Sequence, residues 1–363
     1  MDPLFKSVQI RHLTIKNRIA VPAMIRYYWA KEDGAVSDMH ICHYERVAQG
    51  GNGLIIQEAT SISEQGRWVP DMLGIWRDGH IEGLSRMVEA VHRAGSKIFI
   101  QLQHSGVKSH YDSVGPSVHT LNGFSEPRNI RPAIHKTSRP LGIEEIEIIQ
   151  EQFVSAAVRA VRAGYDGIEL HGTHGYLIGN FLSKSANHRT DAYGENPALF
   201  AVETLGKIRA AVGSGPIIGI RMGGFEPTLD DGFRNALALA DAGYDFLNVS
   251  YGESEQIPDQ LPESYQFPPP IYAAQRIKKL VKVPVFGVYR ITSAQMARDI
   301  LSETEIDMVN IGRGVLVNPS WANDARSGDN TGICLNCEAC QWRIDYTKCP
   351  GEIVYQKNKC KAD

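Results

Sequence analysis

The stretch Asp166-Gly-Ile-Glu-Leu-His-Gly-Thr-His-Gly-Tyr-Leu-Ile178 decides how this chain is read. It joins a short apolar strand to a loop carrying His171, His174 and Tyr176. Before it, Ile148, Phe153, Ala156, Ala157, Val158, Ala160 and Val161 recur at three- and four-residue spacing, the period of an amphipathic helix. Gly164 then stops that helix just before the strand. Helix, glycine stop, strand and polar loop make one unit of an α/β barrel, and such barrels place their chemistry beyond the C-terminal ends of the strands. Two imidazoles and a phenol at that point can hold a carbonyl oxygen and deliver a proton. A lone His at a strand end is more often a satisfied polar residue. His-x-x-His also lacks the Glu and the i, i+4 spacing of a zinc-protease helix. The rest of the chain therefore has to decide.

Seven more apolar runs, at 19–24, 53–59, 97–102, 217–221, 246–250, 283–287 and 308–312, join 167–171 as strand candidates. Helical patterns lie between them, at about 38–49, 81–94, 143–163, 197–212, 231–242, 270–281 and 292–302. Thr292-x-x-Gln295 fits a capping box for the last of these. Eight strands alternating with helices predict a closed (β/α)8 TIM barrel over 1–327. Residues 4–17 suit an N-terminal hairpin closing its bottom, and 328–363 form a separate Cys-rich tail, a predicted metal site. The connections 103–142 and 251–270 are too long for plain turns, and both follow strand ends, so they should wall the site.

Composition narrows the class. A net charge of −3 and a pI near 6.5 argue against a nucleic-acid partner. No apolar run approaches the ~18 residues of a membrane span. Met1-Asp-Pro-Leu-Phe-Lys6 has no signal-peptide pattern, and five of six cysteines crowd the last thirty residues instead of forming a spread disulfide framework. The expected location is the cytoplasm.

The strand ends carry Pro22-Ala23-Met24 with Arg26, Tyr27 and Tyr28, then Glu58-Ala59, Gln101-Leu-Gln-His104, His171 and His174, Arg221, Gly287, and Gly312-Arg313. No lysine stands at a strand end, which counts against a Schiff-base aldolase. The absence of His-x-His on the first strand and of a carboxylate cluster counts against a metal hydrolase. Glycines after strands seven and eight, with one arginine, are the usual place for a cofactor phosphate.

From about Leu4 to Ala325 the chain resembles the old yellow enzyme family of FMN-dependent ene-reductases. The likeness rests on Asn17-Arg18-Ile19, Glu58-Ala59, Gln65-Gly66-Arg67, Ile100-Gln101-Leu102-x-His104, His171 to Ile178, Phe181-Leu182-Ser183, Asn187 to Asp191, Tyr193-Gly194 and Ile311-Gly312-Arg313. The resemblance implies FMN, with backbone groups of Ala23, Met24 and Ala59 on the flavin and Gln101 on its pyrimidine edge. Arg221 would stand near N1–C2=O, and Gly287, Gly312 and Arg313 would hold the phosphate. It implies further that His171 and His174 grip the carbonyl oxygen of a small enone-type substrate and Tyr176 protonates its α-carbon. Tyr27 is a substrate-side residue on the same likeness, against plain packing under a loop. NAD(P)H is the implied co-substrate, and the family's habit is a homo-oligomer. Ile25 departs from the Cys or Thr that relatives use beside the flavin. Lys184 replaces a usual Pro.

The tail reads Cys334-x2-Cys337-x2-Cys340-x8-Cys349-Pro350. Its dense thiols resemble an iron–sulfur loop like that of the 2,4-dienoyl-CoA reductase and trimethylamine dehydrogenase branch. A [4Fe–4S] cluster is expected there, with zinc and free thiols or a disulfide as alternatives. Cys360 looks like a spare. Two other functions stay open: an amine dehydrogenase or demethylase of the trimethylamine dehydrogenase type, and a flavin electron-transfer subunit.

Overall fold

The structure is a computed structural model, and it describes residues 2–124, 134–253, 261–343 and 345–359. Eight parallel strands close on one another: β1 (Ile19–Val21), β2 (Leu54–Ser61), β3 (Lys97–Gln103), β4 (Gly167–Gly172), β5 (Ile217–Gly223), β6 (Leu247–Ser250), β7 (Val285–Gly287) and β8 (Met308–Asn310). Closure is made by Val309 opposite Ile19 and Asn310 opposite Ala20. Helices Asp38–Gln49, Ile81–Arg93, Ile143–Arg162, Leu199–Val212, Leu229–Asp241, Pro269–Lys278 and Ala294–Glu303 alternate with the strands, and Trp321–Ser327 follows β8. This is the predicted (β/α)8 barrel. Among the described residues no helix is long and apolar enough to cross a membrane.

The barrel interior is layered. Its floor is apolar: Ala20, Leu54, Ile56, Phe99, Ile217, Phe246, Phe286 and Met308 pack together with Val8, Ile10 and Ile15 of the N-terminal hairpin, Val8–Ile10 against Leu13–Ile15. Phe246 stacks on Phe286 with ring centroids 4.8 Å apart. A Cβ on Gly219 would lie 2.2 Å from the Phe246 ring, so β5 gives up a side chain there to admit the aromatic one. A chain of buried amides and one carboxyl crosses the barrel nearer the strands' C-terminal ends. Gln101 and Asn248 each donate to Glu169, at 2.6 and 2.7 Å, and Asn310 donates to Asn248 at 3.0 Å. Burial raises the Glu169 pKa, opposed by the Arg221 cation.

Two local expectations change. The helix before β4 buries Ile146, Ile149, Phe153, Ala156, Ala157 and Ala160, whereas Ile148 and Val161 are exposed. Counted from Phe153 at about 100° per residue, Ile148 falls off the core stripe and Ile149 falls on it. The helix after β7 is capped by Ser293, not Thr292. The Ser293 hydroxyl accepts from the Met296 N–H, while Gln295 donates to Asp299 at 2.7 Å.

Candidate active site

A cavity of about 720 Å³ opens at the strands' C-terminal face, a size ordinary for a cofactor and small-molecule site. Ala23, Met24, Ile25, Tyr27, Ala59, Gln101, His171, His174, Tyr176, Arg221, Gly312 and Arg313 all line it. The strand ends thus bring together eleven of the twelve barrel residues singled out from sequence, together with Ile25. Gly287 is the exception. A Cβ there would meet Ile271 and Ile306, so it faces the helix layer, and its carbonyl accepts from Asn310. Val288 to Thr292, just beyond it, line the cavity in its place.

The β4 loop builds one wall. His171 Nε2 lies 3.2 Å from His174 Nδ1, and His174 Nε2 lies 2.8 Å from the Ser250 hydroxyl. The Tyr176 ring packs 4.6 Å from His171 and edge-on to Trp68 at 6.2 Å. His174 adopts φ +60°, the left-handed turn that lets both imidazoles point to one place. Burial, with the Arg221 and Lys108 cations adding to it, holds both histidines well below their usual pKa. Each is therefore neutral at pH 7 and can donate one N–H. Tyr27 is fully buried against Trp68 while lining the cavity, so it serves packing as well.

Several lining residues were not anticipated. Lys108, five residues past the end of β3, is 1 % exposed, and burial lowers its pKa to about 7 against the pull of Glu253 and Glu226. No strand end carries a lysine, but the loop after β3 folds back and brings Lys108 to the cavity. Gly106 (φ +60°) passes so close to the Leu177 backbone that a Cβ there would meet it at 2.9 Å. Ser250, Tyr251 and Glu253 reach the cavity from β6, and Cys334, Asn336 and Cys340 reach it from the tail. The Arg313 guanidinium donates to Asn336 at 2.8 Å.

The expected four-cysteine metal centre is not assembled. Among the described residues no three His, Cys, Asp or Glu side chains are grouped to hold a metal ion, and no disulfide joins Cys334, Cys337, Cys340 and Cys349. Packing is the reason: Cys340 and Cys349 are buried in an apolar cluster with Trp29, Leu316, Val317, Trp342 and Tyr355. Burial raises the Cys349 pKa. The Arg26 guanidinium lies 4.0 Å over the Trp342 ring, and Arg46 pairs with Glu352 at 2.6 Å. Aromatic packing holds the tail against the barrel; Cys360 lies outside the described residues. Trp342→Ala should remove that anchor, a loss of about 3–5 kcal/mol for a buried Trp. Limited proteolysis should then cut within 330–359 well before the barrel. Unchanged resistance would show that the anchor is elsewhere.

A closed parallel barrel with a cavity at its C-terminal face, lined by a buried cation, an amide, paired imidazoles and a phenol, has the layout of a TIM-barrel flavin oxidoreductase. The chain belongs to the NADH:flavin oxidoreductase / NADH oxidase family, whose sequence model matches residues 3–331. It is 37% identical over 353 residues to the NADH oxidase of Thermoanaerobacter brockii, covering 92% of this chain and 52% of that protein. This chain thus spans about half that relative's length. It is also 37% identical over 330 residues to the NADPH dehydrogenase of Halalkalibacterium halodurans, with 89% of this chain and 93% of that one covered. The structure of morphinone reductase in complex with tetrahydroNAD superposes with a TM-score of 0.79 at 27% identity, covering 96% of this chain and 97% of that one. FMN is the family's cofactor, and the residues present fit it. Among the described residues Arg221 Nε, Asn310 Oδ1 and His171 Nδ1 are buried with no hydrogen-bond partner, and all three residues line the cavity.

Proposed function

We propose that this protein uses NAD(P)H to reduce the activated C=C bond of an α,β-unsaturated carbonyl compound. The observation that carries this reading is the meeting of His171, His174 and Tyr176 on one wall of the cavity that Gln101 and Arg221 also line. Bound FMN supplies hydride transfer between a nicotinamide and the substrate's β-carbon.

The chain's own residues supply the rest. Ala23, Met24 and Ala59 would offer backbone groups to the flavin, and Gln101 would bond its pyrimidine edge. Arg221 would hold a buried cation beside the ring system and stabilise negative charge there. Gly312, Arg313 and the backbone beyond β7 would hold the phosphate. His171 and His174, being neutral donors, take the substrate carbonyl oxygen between them and draw electron density from the double bond. Tyr176 gives its phenolic proton to the α-carbon as hydride reaches the β-carbon, so one proton and one hydride complete the saturated product. The Ile25 side chain offers no hydrogen bond where it lines the cavity.

The deciding experiment reconstitutes the purified protein with FMN and follows NADH or NADPH consumption with and without 2-cyclohexenone. Visible flavin absorbance and enone-dependent turnover are expected. A protein that stays colourless overturns the cofactor assignment, and bound flavin that NAD(P)H reduces but no enone reoxidises overturns the substrate class.

A further inference from the structure

We infer that Lys108 is a positioning residue for proton delivery: its ammonium lies over the Tyr176 ring and, anchored on the His174 carbonyl, favours loss of the phenolic proton. The inference rests on the reading of Tyr176 as the proton donor.

The Lys108 Nζ is 5.2 Å from the Tyr176 ring centroid and donates to the backbone oxygen of His174. One side chain thus touches both ends of the turn that carries the imidazole and the phenol. When Tyr176 gives up its proton, the O–H bond breaks, a C–H bond forms at the substrate α-carbon, and a phenolate remains. The new charge is delocalised into the ring. A cation over the ring face therefore attracts the phenolate more strongly than the phenol. Lys108 transfers no proton itself; Tyr176 recovers its own from solvent after product leaves.

The surroundings of Lys108 keep it in place and limit its charge. Glu226 follows β5, and Glu253 follows β6; both favour the ammonium. His119, 2.6 Å from Glu253 on the connection after β3, and His171 and His174 after β4 face it from the other elements. Burial brings the Lys108 pKa to about 7, so the ammonium is present below that pH and lost above it. Proton delivery should therefore fall as pH rises past neutrality.

Lys108→Met and Lys108→Arg test this. In Lys108→Met, reoxidation of the NADPH-reduced enzyme by 2-cyclohexenone should slow about tenfold, the rate equivalent of about one pKa unit at the phenol. Reduction by NADPH should stay within about twofold, and Lys108→Arg, still cationic, should keep the fast step and lose its neutral-pH decline. In the resting protein carrying carbon-13 at tyrosine Cζ, the signal missing from Tyr176→Phe identifies Tyr176. Its titration should move alkaline by about one unit in Lys108→Met. An unmoved titration, or equal slowing of both half-reactions, overturns the inference and leaves Lys108 a packing residue. A moved titration in a protein that no enone reoxidises supports the inference and overturns the ene-reductase reading instead.

Discussion

Replacing His171 and His174 together with Ala should slow enone-driven reoxidation of the enzyme by about 10³-fold or more, since each donor removed from a developing oxyanion costs about 10²–10³-fold. The two rings touch each other at 3.2 Å, and a carbonyl oxygen entering between them would exchange that contact for two N–H donors. Ser250, 2.8 Å from His174 Nε2, holds that ring's tilt. Para-substituted phenols imitate the polarised oxygen, so the long-wavelength band they induce in the flavoprotein should disappear in the double variant. An unchanged band would show that these rings do not face the ligand. The pH dependence has a definite sign. Burial and the Arg221 and Lys108 cations depress both imidazole pKa values, so the neutral form is present at and above pH 6.5 and is lost only as pH falls through the depressed values. The imidazoles should therefore add no pH dependence of their own to phenol affinity between pH 6.5 and 8, and a decline there should be absent from Lys108→Arg.

The barrel was legible because its signals are local and redundant. The strands are short apolar runs, and all the strand ends but that of β7 carry a residue that lines the cavity, since the last inward position and the first loop residues are adjacent in sequence. His171, Arg221 and Arg313 could be found from strand position alone. Gly287 failed the same rule for a physical reason: on a three-residue strand, a one-residue shift turns a side chain from the interior to the helix layer. Val288, one step on, lines the cavity.

Lys108 and the tail were hidden because they depend on contacts between distant segments. Nothing in His104-Ser-Gly-Val-Lys108 alone says that the loop turns back under Tyr176; that follows from Gly106 meeting the Leu177 backbone. In the tail, thiol spacing suggested ligation, whereas Trp29 and Arg26, some three hundred residues earlier, supply the surface that Trp342 packs on. Spacing within sixteen residues cannot register such partners. The same packing carries Asn336 to Arg313, so the tail forms part of the wall of the cavity.

Tyr176→Phe should slow reoxidation by 2-cyclohexenone by about 10²–10⁴-fold, the range a positioned general acid contributes, and leave reduction by NAD(P)H within about twofold. The asymmetry follows from what the hydroxyl does. Phe keeps the ring that packs against His171, Trp68 and Lys108, so the wall stays formed. Only the proton for the α-carbon is lost, and that proton is needed when the enone is reduced, not when the nicotinamide is oxidised. The phenol-induced band should persist, because the two imidazoles that hold the oxygen are untouched. Enones whose product anion is stabilised by a second carbonyl should lose less, since solvent can protonate a longer-lived anion. Equal slowing of the two half-reactions, or loss of the phenol band, would mean that the hydroxyl shapes the pocket and the proton comes from another group.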